Sequence, residues 1–118
     1  MTNNRFTDLV HSILTEAAET LVAKGKDYAQ VKDDRLINFK RRAIQLAKAP
    51  TEVLLNDMSK HFDSVCQAVQ ARPLNPSTTT EPLRGRIIDI INYNILLLAL
   101  LEDINDTGRP EPTTAEGD

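Results

Sequence analysis

The sequence predicts an all-α domain, a four-helix bundle-like unit, on three observations. Four segments carry apolar residues at helical spacing, aromatics are scarce with no Trp, and only four Gly occur in 118 residues. A core drawn from Leu, Ile, Val and Ala suits packed helices better than a sandwich of strands, which uses more β-branched and aromatic residues. A chain of this length builds one core, so residues 1–105 read as a single domain.

The first helix is expected over about Phe6 to Ala23, its stripe formed by Phe6, Leu9, Val10, Ile13, Leu14, Ala17, Leu21 and Val22. Gly25 then looks like the left-handed residue that ends it, and Glu16 and Glu19 fall on the solvent side. A polar connection, Lys24 to Lys32, leads to a second helix capped by Asp33 or Asp34, with Leu36, Phe39, Ala43 and Ala47 inward. Pro50 closes it. The third helix starts near Thr51 with the most regular stripe of the chain, Leu55, Met58, Phe62, Val65 and Val69, and stops before Pro73. Pro73 to Pro82 reads as a mobile surface connection. The fourth helix, Leu83 to about Asp103, is apolar nearly all round, as a central helix or one packed on a second subunit would be. Asp106 to Asp118 is polar, holds two prolines and is expected to be disordered.

Cys66 is the sole cysteine, which excludes an internal disulfide and a Cys-based metal site and suits a reducing compartment, hence the cytoplasm. The polar start lacks the apolar stretch of a signal peptide, and Asp89, Asn92 and Asn94 interrupt the most apolar segment, so no membrane partner is expected. Net charge is −3, yet Lys24 to Lys48 is locally +5 and the remainder −8. Such a distribution draws in a small anion while repelling duplex nucleic acid. An ordinary solvated helix face would carry the same charges.

The most informative feature is a polar line on the apolar fourth helix: Gly85, Asp89, Asn92 and Tyr93 share one face. A carboxylate there needs a partner, because burying it unpaired is costly. It meets either a ligand-filled space or a cation that fixes helix register. The third helix offers Lys60 or His61 as that cation, and Asp57 with His61 has a spacing that can bind a metal. A third group, Lys26, Asp27, Tyr28, Arg35 and Asn38, lies around the second connection. There Tyr28 can stack on a base or cover the bundle end, and Lys26 and Arg35 can hold phosphates. No GxxxxGK[ST], GxGxxG or HExxH motif is present.

Four short motifs in order, Lys24-Gly25-Lys26-Asp27-Tyr28, Asp34-Arg35-Leu36-Ile37-Asn38-Phe39, Met58-Ser59-Lys60-His61 and Asp89-Ile90-Ile91-Asn92-Tyr93, carry a family resemblance. The chain resembles small phage and prophage proteins related to the nucleotide-modification-associated domain, themselves similar to the MazG-like all-α nucleoside triphosphate pyrophosphatases. The resemblance spans about Lys24 to Asp103. It implies a four-helix unit that forms a homo-oligomer, with a nucleotide site lined by the third and fourth helices. Catalytic members carry ExxE and ExxD acids that hold magnesium. Here Asp89 matches the closing Asp, whereas Arg86 replaces the preceding Glu, and Lys60, His61 and Asp63 occupy the region of the first pair. Cations in place of carboxylates neutralise phosphate directly but lose the usual means of making a nucleophile.

The expected function is capture of a phosphorylated or cyclic nucleotide without turnover and without a cofactor, by a plausibly phage-encoded protein acting in the host cytoplasm. Lys26, Tyr28, Arg35, Asn38, Lys60, His61, Asp89 and Asn92 are the candidate ligand contacts. The enzyme alternative is magnesium-dependent pyrophosphohydrolysis with Asp89 and Asp57, or Glu81, at the metal. A structural helical module that binds another protein is the third reading.

Overall fold

The computed structural model describes residues 1–28, 34–71 and 83–107, and all of its regular elements are α-helices. They are α1 (Asn3–Tyr28), α2 (Ile37–Leu46), α3 (Pro50–Gln70) and α4 (Leu83–Thr107). The all-α class therefore holds. The expected mobile connection falls on 72–82 and most of the expected tail on 108–118, both outside the described residues, and α4 continues beyond the expected end at Asp103.

Helix ends differ from expectation for identifiable reasons. α1 runs through Gly25, which is a buried interior residue of the helix rather than its left-handed terminator. Asp34 does mark the start of α2, but by accepting the Leu36 amide at 2.9 Å in a turn ahead of the helix, and the N-cap itself is Leu36. α2 stops at Leu46 because Ala47 adopts the left-handed conformation, φ 53°, and the following Lys48 amide bonds back to the Ala43 carbonyl at 2.9 Å. Pro50 does not close α2. It opens α3, where its missing N–H costs nothing. Glu52 reaches back to accept the Ala49 amide at 3.3 Å.

The core gathers Leu36, Phe39 and Ala43 from the α2 region, Val53 and Leu54 from α3, and Leu96 and Leu100 from α4, with Leu21, Met58 and Tyr93 packed against it. α4 packs against both α1 and α3, and α3 against α2. Ion pairs tie α1 to α4: Glu16 to Arg84 at 2.7 Å, and Lys24 to Asp89 at 3.4 Å. Lys40 is gripped by Asp34 and Asp103, both at 2.8 Å, joining the start of α2 to the end of α4. Burial pushes the Lys40 ammonium down, but the hydrogen bonds and charges of Asp103 and Asp34 outweigh it and leave its pKa raised. That contribution to stability is complete at neutral pH and disappears only as pH rises through the raised value.

The inward faces of α1 and α3 keep only part of the expected stripes. On α1 Ala17 is the buried member of the stripe and Leu9, Val10, Ile13 and Leu21 are half-buried, while Phe6, Leu14 and Val22 are exposed. On α3, Leu55, Phe62 and Val69 face solvent at seven-residue intervals, and Val53 and Leu54 take the interior. No helix among the described residues is long and apolar enough to cross a membrane.

Candidate ligand-binding site

A cavity of about 430 Å³ opens where the four helices meet, within the usual size of small-molecule sites. α1 contributes Leu21 and Lys24. The start and outer face of α2 contribute Arg35, Asn38, Arg41, Arg42 and Gln45, over the buried Phe39. α3 adds Asp57 and His61, one turn apart, and α4 adds Asp89, Asn92, Tyr93 and Leu96. Four permanent cations thus face two carboxylates.

The charges are arranged at two ends. At one, Asp89, with its side chain 19% exposed, lies 3.4 Å from Lys24 Nζ and 3.8 Å from His61 Nδ1. The second distance exceeds a hydrogen bond, and His61 Nδ1 is buried with no partner among the described residues. The His61 ring contacts Tyr93, centroids 5.3 Å apart and tilted by 54°. At the other end, Arg42 donates to both oxygens of Asp57, at 2.6 and 2.9 Å, in a fork geometry. These bonds hold the Arg42 pKa above its ordinary value, against the opposing effect of burial. Asn92 also lines the cavity, is 6% exposed, and its Oδ1 is buried with no partner among the described residues.

Of the residues expected from sequence, Arg35, Asn38, Asp57, His61, Asp89 and Asn92 line this one cavity. Lys60 does not. It is exposed, one position round the helix from His61, and Lys24 takes the place beside Asp89. Lys26 is likewise exposed and outside the lining, because α1 continues through Gly25 and turns it away. Tyr28 ends α1, and its side chain lies outside the described residues. Gly85 is not part of the lining. Lys24, Arg41, Arg42 and Gln45 were not anticipated. Their signal was present as a polar face, since Arg35, Asn38, Arg42 and Gln45 recur at steps of three and four.

Gly25 has a definite steric role. A Cβ there would stand 2.7 Å from Arg35 Nε and 3.0 Å from its Cδ, so the absent side chain is what lets Arg35 cross α1. Gly25→Ala is expected to displace the guanidinium and, if the cavity takes an anion, to weaken that binding about 10-fold, the loss of one charge-assisted bond. The helix itself gains, by up to about 1 kcal/mol, from replacing an interior Gly. Calorimetric titration and urea unfolding of the same variant check the two opposite signs.

Among the described residues, no cluster of three or more His, Cys, Asp or Glu could hold a metal ion. Asp57 and Asp89 each already serve as counter-ion to a base. No protein-family model, curated protein or solved structure matches the chain.

Proposed function

We propose that the protein captures a phosphorylated or cyclic nucleotide in this cavity and holds it without turnover. The observation that carries the reading is the convergence of Lys24, Arg35, Arg41 and Arg42 on a space walled in part by Leu21, Phe39, Tyr93 and Leu96. Guanidinium groups suit phosphate oxygens, and apolar or aromatic walls suit the faces of a base. Neutralisation by side chains makes magnesium unnecessary for binding. The carboxylates that would otherwise hold the ion are engaged with Arg42 and Lys24.

Titration calorimetry with nucleoside mono- and triphosphates and cyclic nucleotides, with and without magnesium, tests this. The expected result is dissociation constants of about 1 μM for the preferred member, indifferent to magnesium, and weakened by Arg35→Ala with Arg41→Ala. No binding under either condition would sink the reading. The magnesium-dependent pyrophosphohydrolase remains the second reading because Asp57 and Asp89 line one cavity. It requires pyrophosphate release that Asp89→Ala abolishes.

The exposed apolar residues Leu55, Phe62 and Val69 on α3, and Ile95, Leu98 and Leu101 on α4, support a homo-oligomer as the working form. Apolar residues at seven-residue spacing suit the packing of a second helix. Sedimentation equilibrium of the same protein should then give a mass above one chain, and Phe62→Glu should return it to 13.2 kDa.

A further inference from the structure

Asn92 poses a problem that the charges of the site do not answer. It sits on the otherwise apolar α4, nine-tenths buried, with Oδ1 removed from solvent and unpartnered among the described residues. Leaving a buried acceptor unpaired is expensive, and native proteins do so where a guest or an ordered water completes the bond. A phosphate is the wrong guest for this atom, because its oxygens and Oδ1 are both acceptors. The atom requires an N–H or O–H donor.

The surroundings say which part of a ligand that is. Asn92 shares the lining with Tyr93, with Leu96 one turn along α4 and with Phe39 from α2, all of them apolar or aromatic and the last two buried, while Asp89 stands one turn the other way. The cations occupy other helices: Lys24 on α1, and Arg35, Arg41 and Arg42 at or on α2. A ligand anchored by its phosphate on the arginines at or on α2 presents its uncharged end to the Asn92–Leu96 part of α4, one turn from the Lys24–Asp89 pair. A nucleobase at that end offers flat faces to the apolar walls and N–H groups on its edge.

We propose that Asn92 is the base-reading residue of the site, accepting a hydrogen bond from an N–H group on the edge of a nucleobase. The inference rests on the nucleotide reading of the cavity and adds to it the residue that tells a nucleotide from any other phosphate. A hydrogen bond to an otherwise unpaired buried group discriminates strongly, since a ligand lacking the donor leaves the penalty in place. Asn92 is in this sense a specificity residue, acting through Oδ1 on the base.

The test uses the full chain and three sets of probes in titration calorimetry: the four common nucleoside 5′-monophosphates, ribose 5-phosphate as the baseless probe, and inorganic phosphate. The wild-type protein is expected to bind its best nucleotide about 100-fold more tightly than ribose 5-phosphate. In Asn92→Leu, of similar volume, the nucleotide should lose most of that advantage while ribose 5-phosphate binds as before. Asn92→Ala, which removes the amide without adding apolar bulk, carries the same expectation should the leucine disturb the helices. Helicity by circular dichroism confirms that each variant is folded. An unchanged preference in both variants overturns the assignment, as does a wild type that binds ribose 5-phosphate as tightly as every nucleotide. Failure of every probe, phosphate included, overturns the reading of the cavity itself and this inference with it.

Discussion

Leu54→Ala is expected to cost about 3–5 kcal/mol of folding stability, the upper part of the range for a fully enclosed leucine. Leu54 has 0% exposure and belongs to the cluster in which α2, α3 and α4 meet through Phe39, Val53, Leu96 and Leu100. Removing its isopropyl end loses the transfer energy of three carbons and leaves a void that neighbours on three helices cannot all close. Domains of this size are stable by roughly 5–15 kcal/mol, so the variant should retain only part of its stability. Urea unfolding should show a lower midpoint at unchanged slope, which identifies lost packing rather than a changed unfolded state. The adjacent Leu55 is 47% exposed, and Leu55→Ala should cost less than about 1 kcal/mol in the monomer. A larger cost at Leu55 than at Leu54 would mean that α3 presents the opposite face to the core.

That comparison also shows where reading the sequence reached its limit. The helical class was legible because periodicity and the lack of aromatics act on the whole chain. The facing of α3 was not, because the helix carries two apolar stripes. The more regular one, through Leu55, Phe62 and Val69, is the exposed one. The inner face runs through Leu54, Asp57, Met58 and His61, and a reading of hydrophobicity counts its two polar members as outward. They face inward because the cavity stands between the helices. Gly25 is a similar case. A glycine after an apolar run reads as a helix stop, whereas its function here is clearance for a side chain ten residues later in the chain, which no local pattern reports.

The candidate site was legible where an odd residue stood against its background and illegible where it did not. Asp89 and Asn92 interrupt an apolar helix, and both line the cavity. Lys60 was expected beside Asp89 because it borders the expected stripe, but it stands about 100° round α3 from His61, off the inner face, and is exposed. Lys24 was assigned to a connection whose first residues, through Tyr28, belong to α1, and so could not be placed on a face. Arg41 and Arg42 stood in a run of three cations, which normally denotes solvent.

The pair formed by Arg42 and Asp57 makes the second large prediction, because its two halves should fail in different ways. Asp57 is the more buried partner, 15% exposed against 41% for Arg42. Arg42→Leu strands the Asp57 carboxylate and should cost about 2 kcal/mol of stability, less than a fully buried pair because the guanidinium end reaches solvent. It also turns an anion away twice, by removing a cation and by leaving an uncompensated negative charge in the lining, so phosphate affinity should fall about 100-fold. Asp57→Asn removes the competing carboxylate, keeps a similar shape and releases the Arg42 fork for a ligand oxygen. Stability should fall by only about 1 kcal/mol, while nucleotide affinity rises about 10-fold, the worth of one charge-assisted bond. A magnesium enzyme predicts the reverse sign for Asp57→Asn, because the lost carboxylate would be a metal ligand. Calorimetry on the two variants therefore separates capture from metal-dependent turnover through the direction of one change: tighter binding in Asp57→Asn supports a site built from cations, and weaker, magnesium-sensitive binding rejects it.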